Sequence, residues 1–211
     1  MQIKVFTVGP FAENTYLLIQ GQEALLIDPG FTEENEFINF RNTLVEAEAR
    51  LGAIVLTHAH VDHVLGLRQV LNVYEVPVYL NDKDRFLWNN VTYQAQMFGL
   101  SAEDFAFSPE PLVAQKGWNY GSFTFDVLYT PGHAPDHVAL YSREEGVVIA
   151  GDVLFREGIG RTDLYKGDFK LLEKSIREQL YTLPDDTVVY PGHGPETTVG
   201  HEKRHNPFVS E

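Results

Sequence analysis

The hydrophobic residues of this chain fall into short apolar runs and into longer stretches with helical spacing. Short runs bounded by Gly, Pro, Asn and Asp are typical of β-strands, and apolar residues three or four positions apart are typical of amphipathic helices. The predicted strands are residues 3–8, 15–19, 24–27, 53–56, 123–129, 138–141, 146–150 and 187–190. The predicted helices lie within residues 32–50, 62–74, 82–98 and 169–180.

This mixture of strands and helices predicts an α/β (α+β) protein with sheets in the middle and helices outside. No repeat, linker or low-complexity segment interrupts the pattern, so we expect a single domain over residues 1–211. Its two halves share a plan of strands followed by strand–helix units, and each half has a loop with metal-binding side chains. We expect these loops to gather at one edge of the sheets.

Composition and charge restrict the chemistry. The chain has no cysteine, which excludes disulfides, thiolate metal sites and thiol nucleophiles. Its formal net charge of −14 predicts that it binds neither nucleic acid nor anionic membranes. Because no apolar run approaches membrane-spanning length and the N-terminus looks like a strand, we expect a cytoplasmic protein.

The segment from Thr57 to His63 is the strongest chemical signal. It places three histidines and an aspartate within six residues, directly after an apolar run. Alternate residues of an extended chain point to the same side, so His58 and His60 are predicted to bind one ion. Asp62 and His63, past the turn, are predicted to face another. Without thiolates, such a site suits zinc, iron or manganese.

Four further candidates stand at strand ends or in glycine-containing loops, namely His133, His137, Asp152 and His193. Any one of them alone is an ordinary polar residue at the end of a loop. The repeated pattern of strand, small residue and then His or Asp favours a common role, because glycine allows the backbone to turn sharply beside an ion.

Together these residues resemble the five-motif signature of the metallo-β-lactamase superfamily, over a match that runs from about Asn14 to His193. The resemblance implies a four-layer αββα sandwich with the metal site at one edge of its two sheets. It also implies two divalent ions, with zinc favoured and iron or manganese as alternatives. One ion would be held by His58, His60 and His133, the other by Asp62, His63 and His193, and Asp152 would bridge them.

Other residues receive supporting or substrate-binding roles. Asp28 matches an acidic residue that lies below the metals in the superfamily, and His137 is predicted to support the ligands rather than to bind metal. Arg161 and Lys166 are candidate substrate contacts, because a substrate that carries a carboxylate favours cations near the site. The alternative for Arg161 is a structural ion pair with Asp163 beneath the loop.

Residues 158–163 and 194–207 resemble short bacterial glyoxalase II-like proteins, which are hydroxyacylglutathione hydrolases. The resemblance implies a metal-dependent hydrolase that cleaves a small thioester such as S-lactoylglutathione through a metal-bridging hydroxide, with Asp62 orienting the attacking water. Only 18 residues follow His193. We therefore expect no separate C-terminal helical substrate domain, and recognition of glutathione stays open.

Several alternatives also stay open. Residues 160–163 are similar to persulfide dioxygenases, mononuclear iron enzymes that would use His58, His133 and Asp152. A lactone or another thioester is a further possible substrate. The β-lactamases proper are disfavoured, since no ligand position holds cysteine and Asp152 is expected to bridge. A non-catalytic scaffold is disfavoured by the complete set of ligand types.

Overall fold

The structure is a computed structural model that describes residues 1–210. These residues divide into two compact units, and each unit contains one six-stranded sheet. The first unit comprises residues 1–112 and 121–123, and the second comprises residues 113–120 and those from 124 onward. The expectation of a single domain over residues 1–211 stays a prediction.

The strands of the first unit are β1 Gln2–Val8, β2 Glu13–Gln20, β3 Glu23–Ile27, β4 Arg50–Val55, β5 Val78–Leu80 and β6 Glu110–Pro111. Strands β1, β2 and β3 form an antiparallel meander, and β3 to β6 continue as parallel neighbours. Because adjacent parallel strands end at the same edge of a sheet, the segments that follow β3 and β4 start side by side.

The helices of the first unit are α1 Glu34–Glu46, α2 Leu67–Leu71 and α3 Val91–Met97. Short 3₁₀ turns at Val61–His63 and Trp88–Asn90 come before α2 and α3. The helical spacing predicted for α1 is confirmed, since Phe37, Phe40 and Leu44 are all buried.

The predicted helix over residues 62–74 is wrong for most of its length, because only α2 is α-helical there. The amide of Gly66 donates to the carbonyl of Pro29 at 2.8 Å, whereas an α-helix would require it to donate to the carbonyl of Asp62. A Cβ atom at Gly66 would also overlap Phe31. Contact with the segment after β3 therefore keeps the ligand-bearing loop out of the helix.

The predicted helix over residues 82–98 starts later than expected. The side chain of Asn81 accepts the amide of Lys83 at 2.9 Å, and the side chain of Asp84 accepts the amide of Phe86 at 2.8 Å. Such side-chain bonds offer the backbone an alternative to helical hydrogen bonds. The α-helix accordingly begins only at Val91.

The second unit contains a sheet and a small hairpin. Its strands are β7 Gln115–Tyr120, β8 Phe123–Tyr129, β9 Val138–Ser142, β10 Val147–Gly151, β11 Leu154–Phe155, β12 Gly158–Ile159, β13 Val188–Pro191 and β14 Thr197–Thr198. The sheet has the order β14-β13-β10-β9-β8-β7, and β11 pairs with β12. Strands β10 and β13 are parallel neighbours, so the residues that follow them start at one edge.

The helices of the second unit are α4 Phe169–Ser175, which continues as a π-helical segment Ile176–Leu180, and α5 Val199–His205. Their apolar residues pack on the sheet, where Leu172, Ile176 and Val199 join a cluster with Val148 and Val189. The four strands predicted in this part and the helix over residues 169–180 are confirmed. The pattern missed α5 and most of the short strands.

Two six-stranded sheets with helices confirm the predicted mixed α/β class. Across residues 1–210, no helix combines the length and the apolar character that crossing a bilayer requires.

Candidate metal centre

In the first unit, the parallel strands β3 and β4 end at two side chains that bond to each other. The Asp28 carboxylate accepts the backbone amide of Thr57 at 2.7 Å and the hydroxyl of Thr57 at 2.6 Å. Both residues are buried. Asp28 therefore fixes the point at which the histidine-rich segment leaves the sheet.

The same carboxylate orients His63. Oδ2 of Asp28 lies 3.1 Å from Nδ1 of His63, so this nitrogen carries a proton and Nε2 is the atom that can bind a metal. Nε2 of His63 lies 3.9 Å from Oδ2 of Asp62. Asp28, His58 and His63 also bring ligand atoms within 4.8 Å of one another. Both oxygens of Asp28 already accept hydrogen bonds, which favours the supporting role that the sequence predicts for it.

His58 and His60 bring two nitrogen atoms close together. Nε2 of His58 lies 3.0 Å from Nδ1 of His60, and the Thr57 hydroxyl lies 3.0 Å from the other nitrogen of His58. Two ligands on one tetrahedral ion, each about 2.1 Å from it, stand roughly 3.4 Å apart. The spacing of this pair thus fits a shared metal ion.

Glu13 belongs to this site, although the sequence pattern gave it no role. It is buried at the start of β2, and its Oε1 lies 3.8 Å from Nδ1 of His63. Burial raises the pKa of Glu13 well above its ordinary value, although the nearby His63 acts in the opposite direction. The available signal was a lone acidic residue at the head of an apolar strand, which carries little information without the tertiary contact.

Gln94 of α3 was also missed. Its buried side-chain amide donates to the carbonyl of Ala59 at 3.1 Å and to that of Leu87 at 2.8 Å. Ala59 lies between His58 and His60 in the sequence. Gln94 thus holds the backbone of the histidine-rich segment against α3.

In the second unit, Asp152 and His193 follow the parallel strands β10 and β13, and His133 follows β8. Oδ2 of Asp152 lies 3.4 Å from Nε2 of His133 and 3.5 Å from Nε2 of His193. Both distances match the separation of about 3.4 Å between ligands of one tetrahedral ion. One carboxylate oxygen is therefore at ligand spacing from two histidines.

His133 is oriented by the backbone around it. Its Nδ1 donates to the carbonyl of Arg161 at 2.8 Å, so Nε2 is the ligand atom. The preceding Gly132 has a φ of 128°, and a Cβ atom there would overlap Leu172 in the middle of α4. Only glycine allows the chain to pass α4 so closely and still present His133.

His137 uses both of its ring nitrogens in hydrogen bonds. Nε2 accepts the backbone amide of Asp152 at 3.0 Å, so Nδ1 carries the proton toward the hydroxyl of Thr130 at 2.9 Å. His137 therefore holds the backbone of Asp152 in place. This geometry favours the supporting role that the sequence predicts for it.

Arg161 and Asp163 form a two-pronged ion pair, with N···O distances of 2.7 and 2.8 Å. The hydrogen bond from Arg161 lowers the pKa of Asp163 to about 2. Their side chains are 53% and 68% exposed, so the pair does not lie beneath the loop as expected. Nζ of Lys166 lies 5.4 Å from the ring centroid of Tyr165. Contacts of Arg161 and Lys166 with a substrate stay predictions.

The fold and these clusters define a class of protein, namely a mixed α/β protein with histidine and aspartate sites for divalent metal ions. The donor set fits such ions by chemistry as well as by spacing, because imidazole and carboxylate are their common ligands. The family profile described as the metallo-beta-lactamase superfamily matches residues 8–193. The chain belongs to that superfamily.

Three known proteins are similar to this chain over nearly its full length. Hydroxyacylglutathione hydrolase GloC of Haemophilus influenzae (strain ATCC 51907 / DSM 11121 / KW20 / Rd) is 39% identical, over 100% of this chain and 99% of its own length. The crystal structure of BLEG-1 B3 metallo-beta-lactamase is 37% identical, covers both chains fully and has a TM-score of 0.91. The crystal structure of TTHA1623 in a di-iron-bound form is 40% identical, over 98% of this chain and 100% of its own, with a TM-score of 0.88.

These comparisons confirm the predicted metallo-β-lactamase fold and the predicted resemblance to hydroxyacylglutathione hydrolases. The protein is a metallo-hydrolase of this superfamily.

Proposed function

We propose that this protein is a thioester hydrolase of the glyoxalase II type, which cleaves S-lactoylglutathione or a similar S-acyl thiol into an acid and a thiol. The observation that carries the proposal is the 39% identity to hydroxyacylglutathione hydrolase GloC over essentially the full length of both chains. The alignment covers 99% of GloC itself. A hydroxyacylglutathione hydrolase of this length therefore needs no separate C-terminal helical domain.

The proposal includes two divalent ions. Support comes from the ligand spacings within each unit, 3.0 Å between His58 and His60 and 3.4 to 3.5 Å around Asp152. Zinc is proposed first, and the di-iron form of TTHA1623 supports iron as the alternative. The proposed ligands are His58, His60 and His133 for one ion and Asp62, His63 and His193 for the other, with Asp152 bridging.

When bound, the two ions would supply an activated water and a Lewis acid for the thioester carbonyl. The side chains of the protein orient the reaction around them. Asp62 would accept a hydrogen bond from the attacking water and so orient it toward the carbonyl carbon. Asp28 keeps His63 in one tautomer, and His137 keeps Asp152 in place. A thiolate has low proton affinity, so no side chain has to protonate the leaving group.

β-Lactam hydrolysis is the second candidate. It is supported by the 37% identity to the BLEG-1 B3 metallo-beta-lactamase and by the TM-score of 0.91. Opening a β-lactam ring releases an amine, which needs a proton that a thiolate does not need. This difference in chemistry makes the two substrates separable by experiment.

The test combines metal analysis with three assays on one preparation. We expect two metal ions per chain, hydrolysis of S-lactoylglutathione and little turnover of a chromogenic cephalosporin. Turnover of the cephalosporin alone would replace the thioesterase proposal by the second candidate. One iron per chain, with oxygen consumed on a glutathione persulfide, would identify the dioxygenase alternative.

A small-molecule substrate in the cytoplasm is part of the same proposal. The net charge of −14 supports it, because such a surface repels phosphate backbones and anionic lipid headgroups.

A further inference from the structure

We propose that helix α5 carries an additional metal site, formed by His201, His205 and Glu157 and selective for a divalent d-block cation such as Zn²⁺. None of these residues belongs to the centre described above. The helix reads His201-Glu202-Lys203-Arg204-His205, which is the spacing His-Glu-x-x-His. On a helix, this spacing places two imidazoles on one face, where they can chelate a metal ion.

The two histidine rings lie beside each other on α5. Their ring centroids are 4.7 Å apart, and the rings are tilted by 40°. Two imidazoles on one tetrahedral ion, each with a metal–nitrogen distance near 2.1 Å, have centroids about 5 Å apart. The three ligand atoms are not yet within 4.8 Å of one another, so the side chain of His205 has to rotate about its torsions to complete the pair.

Glu157 supplies the third ligand. Its Oε1 lies 3.1 Å from Nε2 of His201, close to the separation of about 3.4 Å between ligands of one ion. The side chains of Glu157 and His201 are 56% and 31% exposed, so a cation and its water ligands can reach them from solvent. Two imidazoles and one carboxylate are a donor set that Zn²⁺, Ni²⁺ and Cu²⁺ all accept.

Glu202 prepares this site without binding the metal. It is fully buried, and its carboxylate accepts the hydroxyl of Thr197 at 2.6 Å and the amide of Glu157 at 2.9 Å. Asn206 adds a bond to the carbonyl of Gly158 at 3.0 Å. The turn that carries Glu157 is thus fastened to α5, which keeps the third ligand over His201.

The role of Glu202 also excludes peptide hydrolysis at this motif. A general base in a His-Glu-x-x-His site must reach a metal-bound water, whereas Glu202 is held in the interior by Thr197, Asn206 and the Glu157 amide. The cationic side chains of the same helix do not oppose a metal ion, because Lys203 and Arg204 pair with Asp185 at 2.7 and 3.8 Å. The site therefore binds a cation and performs no chemistry of its own.

The test is a calorimetric titration of ZnCl₂ into protein whose main centre has first been filled with Zn²⁺ and freed of excess metal. We expect one additional Zn²⁺ per chain. His205→Ala should weaken this binding at least tenfold and Glu157→Gln should weaken it less, because the chelating pair remains in the latter. Arg204→Ala, which changes a neighbouring exposed residue of the same helix, should bind as the wild type does.

Two results would overturn the proposal. One is a wild-type protein that takes up no Zn²⁺ beyond its main centre. The other is extra binding that is unchanged when His201 and His205 are both replaced by Ala in a protein with wild-type circular dichroism. Imidazole ¹⁵N spectra give an independent measurement, since Zn²⁺ should shift the signals of His201 and His205 in the filled protein.

Discussion

Asp28 has a φ of 50°, in the left-handed region that residues other than glycine seldom adopt. Such a conformation costs on the order of 1 kcal/mol, so it persists only where the surroundings impose it. Here the carboxylate bonds to Thr57 and His63, and the carbonyl of Asp28 accepts the hydroxyl of Thr15 at 2.8 Å. The strained backbone directs one carboxylate to two elements of the metal site.

Thr57→Val tests this network. The variant keeps the shape of the side chain but removes a hydroxyl that joins Asp28 to His58. Loss of such an outer contact should weaken metal binding roughly 10- to 100-fold, as measured by competition with a chromogenic chelator. Thr187→Val is the matched control, because the buried hydroxyl of Thr187 has no hydrogen-bond partner within residues 1–210. Equal metal affinity in the two variants would contradict the prediction.

Asp152→Ala tests the proposed bridge. Removing the carboxylate eliminates the oxygen at ligand spacing from His133 and His193. Because outer contacts alone are worth about 10- to 100-fold, loss of a shared ligand should lower kcat/KM for the thioester more than about 100-fold. The metal content should fall below two per chain. Asp126→Ala, which removes an ion pair with the exposed Arg143, serves as the control. Unchanged turnover in Asp152→Ala would rule out the bridging role.

At the scale of elements, each unit places residues of the candidate metal centre where adjacent parallel strands end. In the first unit β3 leads to Asp28 and β4 to Thr57, and in the second β10 leads to Asp152 and β13 to His193. Strand existence could be predicted from short apolar runs. Strand pairing could not, because residues that pair in parallel strands lie far apart in the chain and share no local pattern.

The start of α1 gives a prediction about pH. Partial burial acts to raise the pKa of Glu36, but the amides of Gly9, Glu33 and Thr32 donate to its carboxylate and lower the pKa overall. A lowered pKa in the folded state means that Glu36 stabilises the protein above its unfolded pKa of about 4.3. This stabilisation disappears as the pH falls through the lower, folded value.

Glu36→Gln should therefore be less stable than the wild type at pH 7, and the difference should shrink on acidification below about pH 4. Urea unfolding midpoints at several pH values measure it. Glu34→Gln, an exposed change in the same first turn, is the control. The contrary result is a difference in urea unfolding midpoint between the wild type and Glu36→Gln that is the same at pH 7 and pH 3.5. That result would show that the charge of the Glu36 carboxylate does not stabilise α1.

At the scale of the whole molecule, the superfamily match over residues 8–193 includes both compact units. The proposed ligand set also draws on both, with four residues from the first unit and three from the second. Because each unit contains several of the proposed ligands, metal binding is expected to stabilise both units.

Removal of metal tests that expectation. A ligand that binds only the folded state adds about 2.7 kcal/mol of stability when its free concentration is a hundred times its Kd. Treatment with a strong chelator should therefore lower the thermal unfolding midpoint, and added Zn²⁺ should restore it. His205→Ala should still lose stability on chelation, since it retains the main centre. An unfolding midpoint that chelation does not change would contradict metal-linked stability.

The sequence by itself determined the types of ligand, the superfamily and most of the long elements. Histidine and aspartate spacing, apolar runs and turn residues are local properties that can be read along the chain. Tertiary structure alone decided that β3 lies beside β4, that Glu13 lies below His63 and that Gln94 holds Ala59. Tertiary contacts at Gly66 also prevent the predicted helix from forming there. Each of these depends on contacts between distant residues, and local periodicity carries no information about them.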